Sequence, residues 1–469
     1  MKKNLLTFLA VSLFFCSGIA QETWTLQRCI NHALENNIQL KQIEINSRIA
    51  KNSLNSSRAA FLPNLNVGGS NDFNFGRSVD PFTNDFSEEK VRSNNFYAQS
   101  GITLFSGFQQ LNSVFRDSYS LKASLQDVEK ARNDLSLNIA SSYLQILFNE
   151  ELLKIAQNQL EISKMQIEKA MVMVELGKMA KGGLLEIQSQ AAIEDMRVTN
   201  AQNQFDLSIL ALTQLLDLPT VDNFAIAHPN LDMISGESVL LSTGQLFMIA
   251  ENIMPELKAA GYRLKSQEKT LAIARGGTSP TLTLFATYAT GYSDARQQLD
   301  INSTHDVEYG YVGTTHDKVY ITTYGSQEYK FEDQINDNTN KSLSFRLTIP
   351  VFNGLQNYHN ISNAKLGVIN SKYDYELTKN NLYQEIQQAL ADAKAALSNY
   401  ESTTKNVSSV EKAFEYTQQK FDVGLVDPID YNTSKTQLTK AQSDLLQSKY
   451  EYILRLKVLD FYRGNPITL

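Results

Sequence analysis

A chain that repeats its own landmarks at fixed offsets builds two copies of one structural unit. In this 469-residue chain Ala33, Leu40, Leu54, Arg58, Pro63 and Leu65 recur as Ala250, Leu257, Leu271, Arg275, Pro280 and Leu282, each 217 residues on (250 − 33). Phe105, Gly107, Leu135, Ile139 and Gly177 recur as Phe352, Gly354, Leu382, Ile386 and Gly424, each 247 residues on (424 − 177). The two repeats cover about residues 22–219 and 237–465. The change of 30 in offset (247 − 217) puts one insertion between Leu282 and Phe352, where it is expected as a longer surface loop.

Chain-breaking residues give the order of elements within each repeat: helix, strand, loop, strand, long helix, glycine turn, helix. Residues 112–176, 184–218, 368–423 and 429–463 contain neither Gly nor Pro. At ~1.5 Å per residue the first of these is a rod of roughly 95 Å, a coiled-coil length. Leu121, Leu125, Val128, Leu135, Ile139, Ile146, Leu153, Ala156, Leu160 and Ile167 follow a 4-3 spacing, with polar gaps at Arg132, Ser142, Asn149 and Ser163. A narrow apolar seam with a broad polar remainder suits a rod packed against two neighbours and wetted elsewhere.

Four segments between the helices alternate with period 2. They lie at about 64–75, 95–105, 281–292 and 342–352. Leu65 and Val67 alternate with Asn64 and Asn66; Phe96, Ala98 and Ile102 with Gln99 and Thr103; Leu282, Leu284 and Ala286 with Thr281 and Thr283; Leu343, Phe345 and Leu347 with Ser344 and Arg346. Each has about the 9–11 residues of a tilted membrane strand. Pro63 and Pro280 mark the change from helix to strand. Such a sheet either buries one face in a water-soluble fold or faces lipid. Four strands close no barrel alone, so the membrane reading requires an oligomer. The connections Gly76–Asn94 and Ser293–Asn340 are expected as long outer loops, the second rich in Tyr.

The first 20 residues read as an export leader: Lys2 and Lys3, the apolar run Leu5–Phe15, and small residues Gly18-Ile19-Ala20 before Gln21. Cys16 raises lipidation as an alternative, against which stands the bulky Phe15. No later window holds eighteen consecutive apolar residues, so membrane-spanning helices are not expected. The net charge of -7 gives no reason to expect a nucleic-acid ligand. Cys16 and Cys29 are too few for a metal cage, and the five histidines show no ligand spacing. Phosphate-loop and nucleophile-elbow motifs are missing, so the reading is a protein without catalytic centre, metal or cofactor.

Several motifs together resemble the TolC-like outer membrane efflux protein family. They are the duplicated Pro63 and Pro280 boundaries, the strand endings Leu104-Phe105-Ser106-Gly107 and Val351-Phe352-Asn353-Gly354, the turns Glu175-Leu176-Gly177 and Val423-Gly424-Leu425, and the segment Leu216-Asp217-Leu218-Pro219. The resemblance implies a mixed α and β membrane protein. Its long helices would form a coiled-coil α-barrel in the periplasm. Four strands per subunit would form a twelve-stranded β-barrel, shared by a homotrimer in the outer membrane of a Gram-negative bacterium. It implies a passive, gated exit duct for small molecules, supplied by a periplasmic adaptor and an inner-membrane pump. Within transport the alternative is a duct for type I protein secretion. From another class, a soluble periplasmic coiled-coil scaffold or adaptor also has long helices. In the family the adaptor meets the tip turns, which here are Gly177 and Val423-Gly424-Leu425. The same glycines also serve as plain helix terminators. Acidic residues after the turns gate the entrance in the family. Asp430 stands at that position with Glu186 beside it, whereas Gly183, the first-half counterpart of Asp430, departs from the pattern.

Overall fold

A computed structural model describes residues 23–76, 78–79, 86–87, 90–219, 224–229 and 241–469. The expected leader with Cys16 lies outside these residues, as do the expected repeat starts at 22 and 237. The first repeat holds α1 (Leu26–Asn36), α2 (Ile38–Ala59), β1 (Asn64–Asn74), β2 (Ser78–Val79), β3 (Phe86–Ser87), β4 (Val91–Ser106), α3 (Gln109–Glu175) and α4 (Lys181–Leu215). The second holds α5 (Thr243–Ile253), α6 (Pro255–Gly276), β5 (Thr281–Ser293), β6 (Gln297–Tyr311), β7 (Lys318–Glu328), α7 (Phe331–Asp337), β8 (Asn340–Thr348), α8 (Gln356–Asp422) and α9 (Pro428–Tyr462).

The duplication extends to the element ends. Helices α3 and α8 each have 67 residues, and α4 and α9 each have 35. Helix α1 ends at Asn37 (ψ 124°) and α5 at Met254 (ψ 126°), two extended residues 217 apart (254 − 37). Each break splits what the spacing suggested was a single helix.

Residues Lys51–Ser118 and Lys265–Ile369 form one compact unit; the other described residues form a second. In the first, β1, β4, β5 and β8 form a four-stranded antiparallel sheet in the order β1-β4-β5-β8. Directly opposite residues share a face. The register therefore aligns Leu65, Ser100, Ala286 and Leu343 in one row and Ile102, Leu284 and Phe345 in another, with Phe105, Leu282 and Leu347 in a third. The opposite face carries Asn66, Gln99, Thr287 and Ser342, then Thr103, Thr283 and Arg346. The apolar face is exposed: Leu65, Leu343, Phe345 and Leu347 are all uncovered. Strands β1 and β8 leave both sheet edges open.

Two expected strand limits shift. The expected strand 342–352 runs from Asn340 and stops at Thr348, because Pro350 lacks the N–H a ladder needs. The expected strand 95–105 begins at Val91, which pairs with Asn74 at the far end of β1. The larger correction concerns the insertion. The segment expected as a loop, Ser293–Asn340, contains the β6–β7 hairpin and α7. Alternation such as Val319-Tyr320-Ile321-Thr322 favours a strand there. Helix α7 pins the hairpin root through Gln334, which is fully buried. Its Nε2 donates to the carbonyls of Ser293 (2.9 Å) and Tyr329 (2.8 Å), and its Oε1 accepts from Ser293 N–H (3.0 Å).

In the other unit two apolar clusters are related by the duplication. Cys29 and Ala33 of α1 pack with Ile139, Tyr143 and Ile146 of α3. Leu246 and Ala250 of α5 pack with Ile386, Leu390 and Ala393 of α8. The expected seam of α3 is buried at Val128, Ile139, Ile146 and Leu153, while Leu125 is exposed. The polar gaps Asn149 and Ser163 are themselves buried. Asn149 Nδ2 donates to the Gln204 carbonyl of α4 at 3.1 Å, so the gap is filled by a hydrogen bond rather than by water.

Candidate functional site: the helix turns and the buried cluster behind them

Both turns have the same backbone. Gly177 (φ +66°) and Gly424 (φ +78°) lie in the left-handed region, and a Cβ on either would meet nothing within 4 Å. Their glycine is thus required by conformation, not by crowding. Lys178 N–H donates to the Met173 carbonyl and Leu425 N–H to the Lys420 carbonyl, both at 2.8 Å. These six-to-one bonds close the ends of α3 and α8. With its backbone groups satisfied, the second turn presents Val423 (71% exposed) and Leu425 (77%) to solvent. Leu176 is likewise exposed beside Gly177.

The helices that leave the turns start differently. Asp427 caps α9: its Oδ1 accepts from Asp430 N–H at 2.8 Å, and Pro428 follows at the first helical position. At the start of α4 the equivalent residue is Ala180, which makes no side-chain cap. The expected gate residue Asp430 lies in the first turn of α9 with its side chain exposed. Glu186 is exposed on α4.

Behind the turns lies a cluster that sequence reasoning missed. Tyr431 of α9 is buried with Ala170 of α3, Ile187 of α4 and Phe421 of α8. Its ring stacks on Phe421 with centroids 4.5 Å apart, and Gln166 Nε2 donates to its hydroxyl at 3.2 Å. Burial pushes the phenol up to about 12, so it stays neutral. On the surface Lys169 of α3 pairs with Asp422 of α8 at 2.5 Å.

One turn further along α9, Lys435 is buried (1% exposed). Its Nζ donates to the Gln159 carbonyl (2.9 Å), Ser163 Oγ (2.7 Å) and both carboxylate oxygens of Glu194 (3.1 and 3.2 Å). Gln190 Nε2 adds a further donor to Glu194 at 3.1 Å. Three helices, α3, α4 and α9, are joined by one ammonium. Burial holds Lys435 below the ordinary lysine value, against the upward pull of Glu194. A signal for this pair exists in the sequence. Tyr431, Lys435 and Leu438 follow the 4-3 seam of α9, and Ile187, Ala191 and Glu194 that of α4. A charge at a seam position demands a buried partner.

This arrangement closes helix ends and ties helices together. Among the described residues no group of three or more His, Cys, Asp or Glu side chains could hold a metal ion. No described helix is long and apolar enough to cross a membrane.

The comparisons with known proteins agree with this architecture. The outer membrane protein TolC of Vibrio cholerae is 23% identical over 466 residues, covering 97% of this chain and 93% of its own length. TolC of Escherichia coli is 22% identical over 470 residues, covering 97% and 85%. The crystal structure of the outer membrane protein VceC from Vibrio cholerae superposes with a TM-score of 0.75 at 15% identity, covering 94% of this chain and 96% of that one. The Outer membrane efflux protein family matches residues 29–217 and 249–465. The two matched stretches follow the duplication seen in the fold and together cover most of the chain, and this chain belongs to that family.

Proposed function

We propose that three copies of this chain form a gated passive duct whose turns engage a periplasmic adaptor. The chain is a subunit of an outer-membrane exit duct of the efflux type, with its strands in the membrane and its helices in the periplasm. The observation that carries the trimer is the sheet. Its apolar face is uncovered and both edges, β1 and β8, are open. In lipid each unpaired backbone group is costly, so β8 of one copy pairs with β1 of the next until twelve strands close. A soluble scaffold would not carry such a face, and family membership sets that alternative aside.

The adaptor contact is supported by Val423 and Leu425, large apolar side chains held in water by a turn that needs only its glycine. The inner-membrane pump would deliver cargo through the same adaptor. Asp430 and Glu186 supply the gate. Three copies of Asp430 around a closing tip concentrate negative potential and attract cations.

Single-channel recording of the purified protein in planar bilayers tests the gate. Divalent cations are expected to block the wild type and to block Asp430→Asn at least about tenfold less strongly. Unchanged block removes Asp430 from the gate. Leu425→Ser is expected to keep full conductance while losing adaptor capture in site-directed cross-linking; retained capture would reduce the turn to a helix terminator.

A further inference from the structure

The groove bounded by α3, α4 and α9 has no part in the reading above. Its volume of about 410 Å³ lies within the range of small-molecule sites, roughly 300–1,000 Å³. Leu152, Ile155, Ala156 and Ala201 form its apolar wall. Arg197 and Lys440 line it and are exposed, and among the described residues neither makes an ion pair. The carboxylate that also lines it, Glu194, is already neutralised by Lys435. The open charges are therefore both positive, in a chain whose net charge is -7.

We propose that this groove binds a small amphiphile with an anionic head group, held by Arg197 and Lys440. Its apolar body lies on Leu152, Ile155, Ala156 and Ala201. Binding is independent of conduction, so the two readings fail separately.

Fluorescence titration of the full-length protein, held in a non-ionic amphipol, tests this with two probes. 1-Anilinonaphthalene-8-sulfonate has an aromatic body, an N–H and a sulfonate; N-phenyl-1-naphthylamine has the same body and N–H without the sulfonate. The sulfonate is expected to saturate one site per chain, about tenfold tighter than the neutral probe. The exposed pair Arg197→Gln/Lys440→Gln is expected to abolish that preference and leave neutral-probe affinity within about twofold. Ala201→Phe, which fills the wall, is expected to remove both affinities with helical circular dichroism unchanged. Equal affinity for the two probes, unchanged sulfonate affinity in the double variant, or no saturable site overturns the proposal. The last outcome would leave the groove to a protein partner. Lost conductance in planar bilayers with unchanged probe affinity would count against the duct alone.

Discussion

At the scale of single residues, Lys435 departs furthest from what its chemistry favours. An ammonium stripped of water is tolerated only because Ser163, Glu194 and the Gln159 carbonyl replace its hydration. Its worth lies less in net attraction than in what its removal would leave behind. Lys435→Met should cost about 3–5 kcal/mol, because Glu194 would stay buried and unpaired. Lys435→Met combined with Glu194→Leu should recover most of that loss. Melting of the trimer followed by circular dichroism checks both; equal destabilisation by the single and double variants would mean that the pair is not what holds α3, α4 and α9 together. Cys29 is the quiet counterpart. Burial pushes its thiol up to about 12, so it behaves as a small apolar residue at the position that Leu246 fills in the second repeat.

At the scale of elements, the strands carry the most information. Neighbouring positions on β8 point to opposite faces, and only one of those faces is apolar. Phe345 lies in the row with Leu284 and Ile102; Ser344 lies in the row with Phe285 and Gly101. Phe345→Arg should destabilise the barrel by about 2–4 kcal/mol near the bilayer midplane, while Ser344→Arg, facing the lumen, is tolerated. Heat-modifiability of outer-membrane fractions on gels reads the difference. Equal yields of folded trimer from both variants would contradict a lipid-facing row. The helices obey a different rule. Their seams admit polar residues wherever a neighbouring helix supplies the partner, as Gln204 does for Asn149.

At the scale of the whole molecule, duplication makes two similar halves that differ in the charges they carry near the turns. Asp427, Asp430 and Lys435 occur only in the second repeat, where the first has Ala180, Gly183 and Gln188. The α5–α6 break adds a pH response. Glu256, in the first turn of α6, is held above the ordinary glutamate value by burial, with Glu385 and Asp134 reinforcing the shift and Lys130 and its own backbone N–H opposing it. A folded state that holds this proton more tightly than the unfolded chain loses stability as pH rises through the window above 4.5. Glu256→Gln should therefore raise the melting temperature at about pH 7.5, with the gain vanishing near pH 4. A gain of the same size at both values would assign the effect to packing instead.

The repeat, the long-helix lengths, the alternating strands and the glycine turns are all legible in the sequence, because each is a local pattern. Periodicity and chain breakers act over a few residues, and the 217 and 247 offsets carried those patterns from one half to the other. By composition, rich in Tyr and Thr, the β6–β7 segment reads as a loop; only the alternation within it encodes the hairpin. What only the tertiary structure decided is which distant groups meet. Lys435 and Glu194 are 241 residues apart (435 − 194), and Gln334 reaches Ser293 across the insertion. Those meetings depend on which helices and strands become neighbours and in what register, and no period within one segment encodes that choice.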